Sequence, residues 1–367
     1  MFSTKKIISG VAAISILLML AFPAFAFSDG AASSVLYEPE TGTFIYEKKA
    51  DERRLIASTT KIMTALVIIE NCDADETVTV PKKAESVIGT SLHLRGGQQY
   101  TVMELLYGIL LESANDAAYT LAIHCAGSVE AFADMMNERA ASIGMTNTHF
   151  ENPHGLDGKE HYSTARDMAL LAAEALKNQT FSIICSTMTA KVMGRTFSNH
   201  NKLLWSVDGL IGVKNGYTNN AGRTLVTACT RNGMTLIFVT LNDESDYRDH
   251  AAAYNWGFKE YKVFRTADEG KACAWLQVVS GDRGKVGIVA TSEAAFLLKP
   301  EEDITEEIYL PKFVHAPINA GDLVGTVIYR KDGVEIFRSY LVFGSGAKVS
   351  PLKKPSIFNR MFDYYMW

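Results

Sequence analysis

The chain has 367 residues, of which 47% are hydrophobic and 21% charged, with a formal net charge of -5. That composition excludes a chain dominated by disorder, and the length suits one large catalytic domain plus a smaller one. So small an acidic excess excludes the basic footprint of a nucleic-acid binder, so no nucleic-acid partner is expected.

At the N-terminus Lys5 and Lys6 precede an apolar run from Ile7 to Phe22, followed by Pro23 and Ala24-Phe25-Ala26. This positive, apolar, A-x-A order predicts a secretory signal over residues 1–26, with the mature chain starting at Phe27. The alternative is an uncleaved anchor, for which the apolar run is short. Either reading puts the body of the protein outside the cytoplasm.

From Ala31 to about Tyr261 strand-like and helical patterns mix. Ser34 to Glu47 reads as two strands around the turn Glu40-Thr41-Gly42, and Lys61 to Glu70, Val102 to Cys125 and Val129 to Ile143 have helical spacing. Thr224 to Val226 and Leu236 to Leu241 return to β character, with Asn232-Gly233 as a hairpin signal between them. Helices in the middle and strands at both ends predict an α+β domain, residues 27–273, whose sheet is assembled from distant parts of the chain.

Beyond Ala274 the pattern becomes short β runs: Lys285 to Ala290, Ile304 to Leu310, Val324 to Tyr329 and Glu335 to Phe343, with a turn at Lys331-Asp332-Gly333. A small β-sandwich over 274–345 is expected. In the last stretch, 346–367, Ile357, Phe358, Met361, Phe362, Tyr365 and Trp367 recur three and four apart beside Lys353, Lys354 and Arg360. That is the pattern of an amphipathic helix lying on a membrane surface, too short to span it; the alternative is a helix docked on its own domain.

Five cysteines, Cys72, Cys125, Cys185, Cys229 and Cys273, are widely spaced, with no C-x-x-C pair and no clustered histidines. Neither a metal site nor a disulfide framework is signalled, although an exported protein has room for one disulfide.

Chemistry concentrates in three motifs. In Ala57-Ser58-Thr59-Thr60-Lys61, leading into the apolar run Ala65-Leu66-Val67-Ile68-Ile69, a helix opened by Ser58 puts Lys61 one turn on and on the same face. A hydroxyl attacks only when a base takes its proton, and a lysine serves as that base once burial or a nearby cation lowers its pKa. Taken alone, S-x-x-K reads better as a helix cap followed by a surface lysine. Next comes Ser113-Ala114-Asn115: Ser113 can relay a proton, and the Asn115 amide can hold Lys61 and bind a peptide carbonyl. The third is Lys214-Asn215-Gly216-Tyr217-Thr218, where a strand-like approach delivers a cation for a terminal carboxylate and Gly216 lets a substrate lie against the strand edge.

These three motifs in this order resemble the penicillin-binding and serine β-lactamase superfamily. Within it the chain is most similar to the D-alanyl-D-alanine carboxypeptidases, the low-molecular-mass penicillin-binding proteins. Signal, motifs, the segment Asn152-Pro153-His154-Gly155-Leu156-Asp157, Trp256-Gly257-Phe258, the β module and the tail all take part in the likeness. The resemblance implies a penicillin-binding transpeptidase fold and a Ser58 nucleophile with Lys61 as base and Ser113 as relay. It also implies substrate binding by Asn115, Lys214, Asn215, Gly216, Tyr217 and Thr218, with the backbone N–H groups of Ser58 and Tyr217 holding the oxyanion. The implied partner is a peptidoglycan stem peptide ending in D-Ala-D-Ala, with β-lactams as covalent inhibitors and no metal or organic cofactor.

Asn215 departs from the pattern, standing where the family usually has threonine. The loop Asn152 to Asp157 resembles one bordering the family's active site, where His154 is expected to brace the loop, outside the catalytic set. Asp208, Arg223 and Arg248 could help position a carboxylate, or be paired surface charges. Two further readings stay open: a β-lactamase, which lacks here the E-x-x-L-N pattern of class A enzymes, and a non-catalytic peptidoglycan- or penicillin-binding relative.

Overall fold

Val35, Leu36 and the run Leu236-Ile237-Phe238-Val239 are almost wholly shielded from solvent, and the strands that carry them form the middle of a sheet. The computed structural model describes residues 27–350. The signal read in 1–26 and the amphipathic helix read near the C-terminus, 351–367, lie outside those residues. Among the described residues no helix is long and apolar enough to cross a membrane. The chain divides into two compact units: one holds the chain up to Leu36, Tyr46–Cys229 and Ile237–Trp256, and the other takes Tyr37–Ile45, Thr230–Leu236 and the chain from Gly257 on.

In chain order the first part of the fold comprises β1 (Ser33–Glu38), β2 (Thr43–Lys48), α1 (Lys61–Asn71), β3 (Thr77–Thr79), β4 (Gln99–Thr101), α2 (Val102–Leu110), α3 (Asn115–Ala126), α4 (Val129–Ile143), α5 (Ala165–Lys177) and α6 (Gln179–Ser186). Then follow β5 (Thr189–Val192), β6 (Arg195–Ser198), β7 (Leu210–Thr218), β8 (Gly222–Arg231), β9 (Met234–Leu241) and α7 (Asp246–Glu260). The main sheet has the order β2-β1-β9-β8-β7, so strands from both ends of this region are neighbours, as the α+β reading requires. The near-continuous apolar run of β9 suits a central strand covered on both faces. At the β8–β9 turn Asn232 and Gly233 have φ of 50° and 78°, the positive values a two-residue hairpin demands.

Helix α1 is buried from Lys61 to Ile68, which explains why its sequence is apolar on all sides. A reciprocal capping box between Thr101 and Glu104 starts α2. The helical spacing read from Val102 to Cys125 belongs to two helices. After Leu110 the Ala114 N–H turns back to the Gly108 carbonyl and the Asn115 N–H goes to Thr90, so the chain leaves the helix, with Ser113 at φ 60°. Gly127 and Gly144, both left-handed, end α3 and α4.

The second part is all β: β10 (Lys262–Arg265), β11 (Ala272–Val279), β12 (Lys285–Ala290), β13 (Ala295–Leu298), β14 (Ile304–Tyr309), β15 (Phe313–His315), β16 (Leu323–Lys331) and β17 (Val334–Phe343). A six-stranded sheet of order β14-β16-β17-β12-β11-β15 and the pair β10-β13 enclose Leu276, Val286, Ile288, Val327, Tyr329 and Leu341. Its edges differ from the expected 274 and 345. Strand β10 already pairs with β13, and Ala347 and Val349 bridge to Ile318 and Gly281, so backbone pairing carries the β unit past Phe343 into the stretch assigned to the tail.

Candidate active site

The turn that carries Ser58 is a short 3₁₀ helix, Ala57–Thr60, running directly into α1. It is pinned from three sides. Thr59 and its hydroxyl bond the Ile56 carbonyl, and Thr224 on β8 donates to the same carbonyl at 3.1 Å. Ala57 is held at φ 47°, a conformation disfavoured for a residue with a side chain, which the surrounding packing must impose. The Ser58 N–H opens the turn and takes no acceptor among the described residues, as the first donors of a helix do not.

Lys61 follows one turn on and is completely buried. Its Nζ lies 2.9 Å from Ser58 Oγ, 2.7 Å from Asn115 Oδ1 and 2.7 Å from the His154 carbonyl oxygen. Two of these partners can only accept. A neutral amine has two N–H donors and one lone pair, so donating to Asn115 and His154 leaves the lone pair directed at the Ser58 hydroxyl. Burial, and then the charge of Lys214, hold the Lys61 pKa well below that of a free lysine, against the opposing pull of Asp116. Burial and the neighbouring cation therefore favour the uncharged form of Lys61, the form able to accept the serine proton.

The Asn115 orientation is set by its other end, where Nδ2 donates to the Ile88 carbonyl at 2.7 Å and leaves Oδ1 for the lysine. The loop carrying Ile88 is fastened by buried Asp116, which accepts from the N–H groups of Leu92 and Leu94 and from Ser91 Oγ. Asp116 directly follows the second motif, and spacing alone does not reveal a carboxylate that organises a remote loop. Ser113 is buried at the α2–α3 break, and its hydroxyl is not among the partners of Lys61.

The third motif lies on β7, the edge strand of the main sheet. A Cβ on Gly216 would come within 2.7 Å of both the Ser58 backbone nitrogen and Thr224 Oγ1, so the strand presses against the serine turn at a point where only glycine fits. Lys214 is buried, and burial lowers its pKa to about 7. Its ammonium donates to the Asn215 carbonyl at 2.9 Å and lies 3.3 Å from Asn215 Oδ1, so the residue in the threonine position also engages the neighbouring cation. Tyr217 is exposed, while Thr218 Oγ1 donates to Asp157 at 2.8 Å.

Through Asp157 the loop 152–157 joins the site. Asn152 accepts from the His154 and Gly155 N–H groups and donates to the Leu156 carbonyl, shaping a turn that presents the His154 oxygen to Lys61. His154 thus braces the site through its backbone, as a loop role implies. Its ring has a pKa lowered to about 3 by burial and Lys61. His161, to which no role was given from the sequence, is the second brace. Its Nδ1 accepts the Glu151 N–H, so Nε2 carries the proton and donates to Thr60 Oγ1 at 2.8 Å. Of the charges considered for carboxylate positioning, Arg223 pairs with Asp246 and Arg248 with Asp249.

A serine hydroxyl 2.9 Å from a buried lysine amine is the arrangement of a class, the active-serine enzymes that use lysine where others use histidine. Comparison with known proteins supplies the family. Residues 24–245 match the family described as D-alanyl-D-alanine carboxypeptidase, and residues 261–347 match the penicillin-binding protein 5, C-terminal domain. The chain belongs to the D-alanyl-D-alanine carboxypeptidase family. The D-alanyl-D-alanine carboxypeptidase DacF of Bacillus subtilis (strain 168) is 32% identical over 354 residues, 90% of this chain and 91% of the relative. Among solved structures, penicillin binding protein 5 from Haemophilus influenzae superposes with a TM-score of 0.69 at 28% identity, covering 89% of this chain and 99% of that one. The Streptomyces K15 DD-transpeptidase gives a TM-score of 0.60 at 37% identity over 63% of this chain and 98% of its own.

Proposed function

We propose that the protein is a serine-type carboxypeptidase that removes the terminal D-alanine from peptidoglycan pentapeptides ending in D-Ala-D-Ala, and that β-lactams acylate the same serine. The carrying observation is buried Lys61, whose Nζ lies 2.9 Å from Ser58 Oγ while its other two partners, Asn115 Oδ1 and the His154 carbonyl, can only accept. In this reading Lys61 takes the Ser58 proton and Oγ attacks the carbonyl between the two D-alanines. The N–H groups of Ser58 and Tyr217 receive the oxyanion. The C–N bond then breaks, and the departing D-alanine amine takes the proton from Lys61 by way of Ser113. Water, deprotonated by Lys61, hydrolyses the ester and restores Ser58. Lys214, with Asn215 and Thr218, binds the terminal carboxylate, and Asn115 with the open edge of β7 holds the peptide.

The test measures D-alanine release from a pentapeptide by the protein and by Ser58→Ala, beside labelling with a fluorescent penicillin. Release and labelling that both vanish in the variant support the reading. Absence of both from the unaltered protein overturns it, binding without release identifies a non-catalytic relative, and rapid nitrocefin turnover identifies a β-lactamase. The likeness to a DD-transpeptidase favours a second reading in which an amine replaces water. A new amide product on adding a glycyl acceptor distinguishes it.

We also propose export through residues 1–26 and attachment to the outer face of the membrane through the basic, apolar C-terminal stretch. Deleting Lys353 to Trp367 then releases active protein from membranes. Unstable protein instead indicates a structural helix.

A further inference from the structure

Four side chains with metal-binding atoms meet at the ends of α1 and α3 opposite to Lys61 and Asn115. Cys72 caps the C-terminus of α1, Glu76 lies just before β3, and His124 and Cys125 occupy the last turn of α3. Ligand atoms of Cys72, Glu76 and His124 lie within 4.8 Å of one another, and His124 Nε2 is 3.1 Å from Glu76 Oε1. The Cys125 thiol, next to that of Cys72, stands outside this group of three and offers a fourth ligand once its side chain turns toward it. Glu76 is fixed on its backbone, its N–H on the Asp73 carbonyl and its carbonyl accepting from Val102.

We propose that Cys72, Glu76, His124 and Cys125 form a structural site for a zinc-class divalent cation. Two thiolates, an imidazole and a carboxylate are the donor set that suits zinc, and metal–ligand bonds of about 2.0–2.3 Å in a tetrahedron place donors roughly 3.3–3.8 Å apart. Cys72, Glu76 and His124 stand within 4.8 Å of one another, so side-chain rotation, with that of Cys125, can close the group on an ion. Both helices also end here, and the partial negative charge of their last carbonyls favours a cation. A bound cation takes the cysteines as thiolates, displacing their protons to solvent. A disulfide between the two cysteines accounts for the thiol contact but leaves the His124–Glu76 pair without a reason.

The cation would clamp the C-terminal ends of the two helices whose N-terminal ends carry Lys61 and Asn115. At 1.5 Å per residue along α1, the clamp lies roughly 16 Å from the serine site, too far for a part in the reaction. Its effect is on the rigidity of the pair.

The experiment takes the full chain, reduced and stripped with a chelator, and titrates it with zinc and separately with cobalt(II). Expected are one equivalent of zinc, a rise of about 5 °C in the unfolding midpoint at a hundredfold excess over Kd, and cobalt bands of tetrahedral thiolate ligation. His124→Ala and Cys72→Ser should each weaken zinc binding at least tenfold while keeping penicillin labelling, which shows that they fold. No binding by the reduced protein, binding unchanged in both variants, or a Cys72–Cys125 disulfide that stays the sole stabilising state would overturn the proposal.

Discussion

In the proposed reaction Lys61 acts in its neutral form, and this sets two expectations at the scale of single residues. Lys61→Arg places a permanently charged group with no lone pair beside Ser58. Acylation by a fluorescent penicillin should slow by about 10²–10⁴-fold, and a rate within tenfold of the original would mean that another base acts. The pH dependence follows from the two lysines together. Acylation needs Lys61 without its proton and Lys214 with its own, and burial lowers Lys214 to about 7. The rate constant kcat/KM for a peptide with a free terminal carboxylate should therefore fall as pH rises through about 7. A bound carboxylate raises the Lys214 pKa, so the alkaline limb of kcat should lie at higher pH. Amidating the terminal carboxylate should remove the alkaline limb altogether. At position 215 the question is which donor serves the carboxylate best. Asn215 Oδ1 faces Lys214, whereas a threonine hydroxyl is shorter and rotates freely. Asn215→Thr should speed acylation by roughly 3–10-fold, about the worth of one added hydrogen bond; an unchanged rate would show that the amide already fills the role.

At the scale of elements the site depends on an edge strand lying flat against a helix start. Gly216→Ala puts a methyl against the Ser58 nitrogen and Thr224 Oγ1, both fixed atoms, so β7 must move away. Activity should drop by on the order of 10²-fold, as for a misplaced reacting group, with a smaller loss of thermal stability. Near-normal turnover would show that the strand can shift at no cost to geometry. Much of this was readable beforehand, because Ser58 to Lys61 is a single helical step and apolar runs such as that of β9 signal their own burial. What escaped had a physical reason. Helices α5 and α6 are the exception: capped by Thr164 and Asn178, with Met168, Leu171, Ala172 and Ala175 on one face of α5, they do carry a sequence signal. The break at Ser113 was invisible to periodicity, because residues on both sides keep helical spacing while the backbone bonds go elsewhere. Asp116, His161 and the His154 carbonyl act across gaps in the chain that no local pattern spans.

Over the whole molecule, buried titratable groups give stability a pH profile with opposing parts. The His154 and His161 rings stay neutral in the native chain down to about pH 3 and 4. The unfolded chain takes up their protons near 6.5, so stability present above that value is lost as pH falls below it. Asp243 works the other way. Burial, with Asp249, Asp29 and Asp246 nearby, raises it to about 6, and its Oδ2 is buried without a partner. Between about 6 and the unfolded value of 3.8 the native state gains as pH falls, while above 6 the charge is a cost. Asp243→Asn should raise the unfolding midpoint at pH 7.5 by a few degrees, with the gain gone at pH 4; a midpoint lowered at both values would mean the charge is needed. The order of the main sheet has a consequence in time. Strand β1 lies between β2 and β9, so its second neighbour is made only when roughly 200 further residues have been synthesised, an interval of about 10–40 s at ordinary elongation rates. Throughout that interval the helices between them can form while the sheet stays open. A chain built this way cannot close its central sheet until almost all of its catalytic half has been translated.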